Sequence, residues 1–173
     1  MIGSRHVTCT ALGVLLLLAG TGSSRAADSC DALTARMIRA TGASLAGRTG
    51  PLAVFRAADA DRMSLTCGKN SRMVFGAVER LPRRNYFVLI GLAAQGLTGT
   101  RPEDVEILAL KLHQDSLLAD APREGQTGRA ALRCETGPRR DALANDHTVC
   151  ILVPNRPVVL RRRAALPAAA SLG

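Results

Sequence analysis

Four cysteines, Cys30, Cys67, Cys134 and Cys150, lie beyond the first 26 residues, and their redox state decides how much core the chain must build. The N-terminus addresses that question. Arg5 and His6 precede an apolar run over residues 7–20, followed by small residues that include Ser24 and Ala26. A basic start, a short apolar core and a small-x-small site together predict a secretory signal peptide, cleaved between Ala26 and Ala27. The run is 14 residues long, short of the roughly 20 that cross a bilayer. An uncleaved inner-membrane anchor is the alternative. Leu18-Ala19-Gly20 is followed by Thr21 and not by cysteine, and twin arginines are absent, so lipidation and export of a folded protein are not expected.

In the periplasm or outside the cell an even set of cysteines implies disulfides, and four allow three pairings. Cys30–Cys67 and Cys134–Cys150 are the expected pairs. The second would join two strand-like runs, residues 130–135 and 148–153. With period two, Leu132 and Cys134 share one face of the first, and Cys150 and Leu152 one face of the second. Loop closure would contribute roughly 3 kcal/mol for the shorter link and roughly 4 for the longer. No CxxC occurs, which excludes thioredoxin-type redox chemistry, zinc knuckles and c-type haem attachment. His147 has metal-ligand spacing to Cys150, but beyond the leader only His113 could join it, so neither a metal nor a cofactor is expected.

Composition narrows the function classes. At 173 residues there is room for one domain, and a hydrophobic fraction of 47% excludes a disordered chain. Aromatics make up 2% (Phe55, Phe75, Tyr86, Phe87) and tryptophan is absent, which argues against stacking platforms for RNA and grooves for sugars. The net charge is +9, but much of the excess sits in Arg156, Arg161, Arg162 and Arg163. Export and a nearly balanced body argue against nucleic acid as partner. No glycine-rich loop follows a strand, so nucleotide binding has no support. The preponderance of arginine over lysine, with abundant alanine, suggests a GC-rich bacterial genome.

Along the chain, Asp28-Ser29 begins a helix whose stripe is Cys30, Leu33, Met37 and Ala40, with Gly42 as its C-cap. Short strands are expected over residues 54–57 and 63–67, joined by the Ala58–Asp61 turn, and over 73–75. A buried central helix is expected over 86–97, capped by Asn85. A further helix over 101–118 is introduced by the capping box Thr100-x-x-Glu103. Residues 122–128 are expected to be a polar loop. The organisation is therefore a signal peptide (1–26), one α+β domain (27–153) with a small antiparallel sheet packed against two or three helices, and a flexible Arg/Ala/Pro-rich tail (154–173).

No catalytic constellation is legible. Ser44, between Gly42 and Gly47, lacks the spacing of a nucleophile elbow and is expected at a helix exit. His113 is expected on the polar side of its helix, at the surface. Asp59 and Asp61 are expected in a hairpin turn and not in a cation loop. Glu103, Asp104 and Glu106 suit the positive end of a helix dipole. Two basic clusters are candidate contacts for anions: Arg80, Arg83 and Arg84, and Arg161, Arg162 and Arg163. These features predict an exported binding or interaction protein, its partner an envelope protein or an anionic surface. A small envelope hydrolase, its site assembled from residues distant in sequence, is the alternative.

Overall fold

The computed structural model describes residues 24–137 and 147–155, with side chains from Ser29 onward. The cleavage junction's leader side up to residue 23, and Arg161, Arg162 and Arg163, lie outside the described residues. The order is α1 (Ser24–Thr41), β1 (Ser44–Thr49), β2 (Leu52–Ala57), β3 (Ala60–Thr66), β4 (Arg72–Ala77), α2 (Arg84–Thr98), α3 (Pro102–Ala119), β5 (Arg123–Thr127), β6 (Ala130–Thr136) and β7 (Thr148–Pro154). The strands form one seven-stranded antiparallel sheet in the order β1-β2-β3-β4-β7-β6-β5. Two meanders, β1–β4 and β5–β7, meet where β7 pairs with β4. The α+β class is as the sequence indicates, with a larger sheet.

The sheet is larger because both edges are strands that sequence reading assigns otherwise. Residues 44–49 are strand β1 and not a helix exit. They pair with β2, whose neighbouring segment is apolar enough to fix the register, with an irregularity between Leu45 and Gly47. Residues 123–127 are strand β5 and not a polar loop; their partners in β6 run from Cys134 back to Ala130. Edge strands need little apolar content, because one side faces water, so composition alone conceals them.

Along β2, β3 and β4, alternate residues are buried: Ala53 and Phe55, Met63 and Leu65, Met73 and Phe75. All four aromatic residues are in this core. Helix α2 packs against α1 on one side and α3 on the other. Its glycines allow this. A Cβ on Gly91 would lie 2.4 Å from the Pro102 carbonyl oxygen, and one on Gly96 would lie 2.5 Å from Met37 Cε. Tyr86, Ile90 and Ala93 are buried as the helical stripe predicts.

The expected disulfides both form. Cys134 and Cys150 are direct cross-strand partners, with Cα atoms 4.2 Å apart. Cys30–Cys67 ties α1 to the end of β3, with Cα atoms 5.6 Å apart. Beside it Arg48 of β1 makes an ion pair with Asp31 of α1. Disulfides of this kind persist in an oxidising compartment outside the cytosol.

The helix starts differ from the sequence reading. Helix α1 begins at Ser24, so Asp28 and Ser29 lie inside it. Helix α2 follows Arg83, and Asn85 is within its first turn. Helix α3 follows Arg101, with no side-chain cap. Thr100 is instead buried: its hydroxyl lies 2.8 Å from that of Thr98 and accepts the Arg129 amide at 3.1 Å. The Asn155 amide donates to the Arg129 carbonyl at 2.8 Å. The predicted capping box is thus replaced by a polar knot joining the α2–α3 connection, the β5–β6 turn and the end of β7. The Thr100 hydroxyl thus satisfies a backbone amide of the β5–β6 turn in place of the first turn of α3.

Candidate functional site

His113 is buried, with 4% of its surface exposed, and not at the surface as its neighbours in sequence suggest. It projects from α3 towards the end of β6, where Nδ1 lies 2.9 Å from the Thr136 hydroxyl. Ser116 Oγ lies 2.9 Å from the same hydroxyl and 2.8 Å from the His113 carbonyl, so its one proton serves either acceptor. The Phe87 ring packs against the imidazole with centroids 5.3 Å apart. Loss of hydration lowers the His113 pKa below its ordinary value of 6.5 and favours the neutral ring. A serine, a threonine and a histidine in contact suggest nucleophilic chemistry. Yet burial leaves no approach for a substrate, and no carboxylate is among the partners described for the ring. The cluster fastens α3 to β6.

The other predicted residues are spread out. Ser44 begins an edge strand and is exposed. Asp61 accepts the Val78 amide at 2.7 Å, which fixes the hairpin end against the exit of β4. Asp59, Asp61, Glu79, Arg83 and Tyr86 border a recess of about 270 Å³. Three carboxylates beside Arg83 make a poor setting for an anion. Arg84 pairs with Glu106 at 2.9 Å, and Arg80 offers its carbonyl to Thr148 Oγ1 at 3.2 Å. Of the first basic cluster, Arg84 is therefore engaged by a carboxylate of α3. Glu103 and Asp104 stand in the first turn of α3, near Arg101. Among the described residues no group of three or more His, Cys, Asp or Glu could hold a metal ion, and no helix is long and apolar enough to cross a membrane.

What the structure assembles instead is the sheet's other face. Shifting one residue from the buried row Phe55, Met63, Phe75, Cys150, Cys134 gives the opposite row Val54, Ser64, Val74, Ile151, Arg133, Glu124. A second row on that face holds Leu52, Thr66 and Arg72, with Val153, Ala131 and Gln126 across β7, β6 and β5. Leu52 and Val54 are each 39% exposed, and Val74, Ala131, Ile151 and Val153 are half-buried. A concavity of about 430 Å³ lies over β5–β7, lined by Ala131, Ile151 and Val153 and rimmed by Glu124, Gln126 and Arg133. A second, of about 280 Å³, shares Val153 and extends past Pro154 to Lys69, Asn70 and Ser71. Ala131 helps to create the hollow, because its side chain is too small to fill it.

A signal for this face was present in the sequence. Strand β7 reads Thr-Val-Cys-Ile-Leu-Val-Pro, apolar at both even and odd positions, and β2 is similar. Strands that are apolar on both sides mark sheets with something on both faces. The helices cover one. Comparison with protein-family models, with curated proteins and with solved structures finds no match.

Proposed function

We propose that the chain is an exported, non-catalytic binding protein that presents the open face of its sheet to a partner. The observation that carries this reading is the half-buried aliphatic patch of Val74, Ala131, Ile151 and Val153, hollowed over β5–β7, with Leu52 and Val54 beyond the hydroxyls of Ser64 and Thr66. Contiguous apolar surface with a polar rim is characteristic of interaction sites. Export rests on the N-terminal pattern together with two disulfides, with maturation at Ala27.

The test is site-directed photo-cross-linking of the native protein in its own envelope. A photo-reactive residue at Ile151 is expected to trap a partner, whereas one at exposed Gln114 on α3 traps none. Equal capture at both positions, or none at Ile151, contradicts the reading. Peptide mass analysis of the same material is expected to show Ala27 as first residue and four oxidised cysteines.

A further inference from the structure

We infer that the Cys30–Cys67 disulfide is a thiol-exchange site, opened by an external dithiol that attacks Cys67 Sγ, whereas Cys134–Cys150 is a permanent link. The inference is independent of the binding role proposed above and rests on how differently the two pairs are surrounded. Cys134 and Cys150 are both fully buried, on neighbouring strands beneath the helices. A thiolate reaches them only when that part of the sheet opens. Cys30 is buried as well, with 3% of its surface exposed, but Cys67 is half-buried and borders a surface recess of about 640 Å³.

The recess is open because of what lines it. Ser29, Gly50, Pro51 and Gly68 on its walls are all exposed. A Cβ added at Gly50 or at Gly68 would find no atom within 4 Å, so both turns border open space. Their φ values of 55° and 127° suit glycine, which leaves both walls without side chains. Arg48 forms a further wall, and Asp31 pairs with it, so this wall adds no unbalanced charge. The Cys67 amide donates to the Pro51 carbonyl at 2.8 Å, which holds its backbone beside the recess.

Which sulfur is attacked depends on access, and the recess gives access to Cys67 where burial denies it to Cys30. One thiolate of the dithiol bonds to Cys67 Sγ, and the electron pair of the broken S–S bond leaves on Cys30 Sγ, which takes up a proton. The second thiolate then attacks the dithiol's own sulfur in the mixed disulfide and releases Cys67, which is protonated in turn. The protein gains two electrons and two protons, and the dithiol becomes a disulfide. Opening this bond unties α1 from the end of β3. Helix α1 packs chiefly against α2, with Met37 over Gly96. It is then held by that helix and by the Arg48–Asp31 pair, while the sheet stays closed.

The experiment treats the oxidised mature chain under native conditions with dithiothreitol and, separately, with glutathione. Free thiols are alkylated at intervals and mapped by peptide mass spectrometry. With dithiothreitol, Cys30 and Cys67 are expected to take the label at least about tenfold faster than Cys134 and Cys150. With glutathione, the first adduct is expected on Cys67, with the alkyl group on Cys30. After reduction of this pair alone, the α1 amides are expected to exchange hydrogen at least about tenfold faster than in the oxidised protein, with β4, β6 and β7 unchanged. Equal rates for the two pairs, faster opening of Cys134–Cys150, a first adduct on Cys30, or no reaction short of denaturation overturns the inference. So does an α1 as protected after reduction as before, or a loss of protection throughout the sheet.

Discussion

The same strands present two faces that differ by one residue in phase. Phe55, Met63 and Phe75 are buried beneath the helices, while Val54, Ser64 and Val74, each one position earlier or later, look the other way. The helix-covered face combines large apolar side chains, a cross-strand disulfide at Cys134–Cys150 and the buried His113–Thr136–Ser116 contacts. The open face has smaller aliphatic residues, hydroxyls and arginines. The first is built to exclude water and holds the fold. The second is half-apolar without being closed, which contributes little to folding and leaves it available for recognition.

This contrast is broken most forcefully from the covered side. Phe75→Ala is expected to destabilise by about 3–5 kcal/mol in chemical denaturation, because a fully buried ring leaves a cavity. Replacing Cys134 and Cys150 together with alanine is expected to cost about 3 kcal/mol, and a loss below a third of that would mean that strand pairing alone supports the hairpin. Gly91→Ala is expected to cost about 1–3 kcal/mol, since the new methyl meets the Pro102 carbonyl at 2.4 Å. On the open face, Val54→Thr is expected to change stability by less than about 0.5 kcal/mol. A cost like that of Phe75→Ala would show the two faces to be energetically alike.

The smallest expected effect is a pH dependence confined to the covered face. Burial lowers the pKa of His113 in the folded state, so the unfolded chain binds more protons as acidity increases. The contribution of neutral His113 is fully present above pH 6.5 and declines as the pH falls through 6.5 towards the folded-state value. Comparing denaturation midpoints of the native protein and His113→Gln between pH 8 and 5 is expected to show them converging at the acid end. Parallel curves would mean that His113 titrates alike in both states.

How much was legible follows the same division. Core strands and helices were readable because burial imposes a period: Met63, Leu65 and Cys67 alternate, and Tyr86, Ile90 and Ala93 recur at helical spacing. Both disulfide pairs were readable, the second because period two set Cys134 and Cys150 on matching faces. The edge strands β1 and β5 were not readable, since SLAGRT and REGQT are paired by their neighbours and not by their own composition. His113 was misplaced because Lys111 and Gln114 beside it are exposed, whereas its own direction is set by Phe87 and Thr136, the latter 23 residues away. Thr100 carried the pattern of a helix cap, but a tertiary contact with Arg129 claimed its hydroxyl. The candidate face was the least legible part, because it exists only when β7 inserts beside β4, pairing residues as distant in the chain as Phe75 and Cys150.

The most direct test of the division between faces is a paired measurement on Ile151→Ser: thermal stability, and capture of the native partner by a photo-reactive residue at Val74. The account predicts a melting temperature close to that of the native protein together with loss of capture. Undiminished capture, or unfolding of the variant to the extent seen for Phe75→Ala, would contradict it.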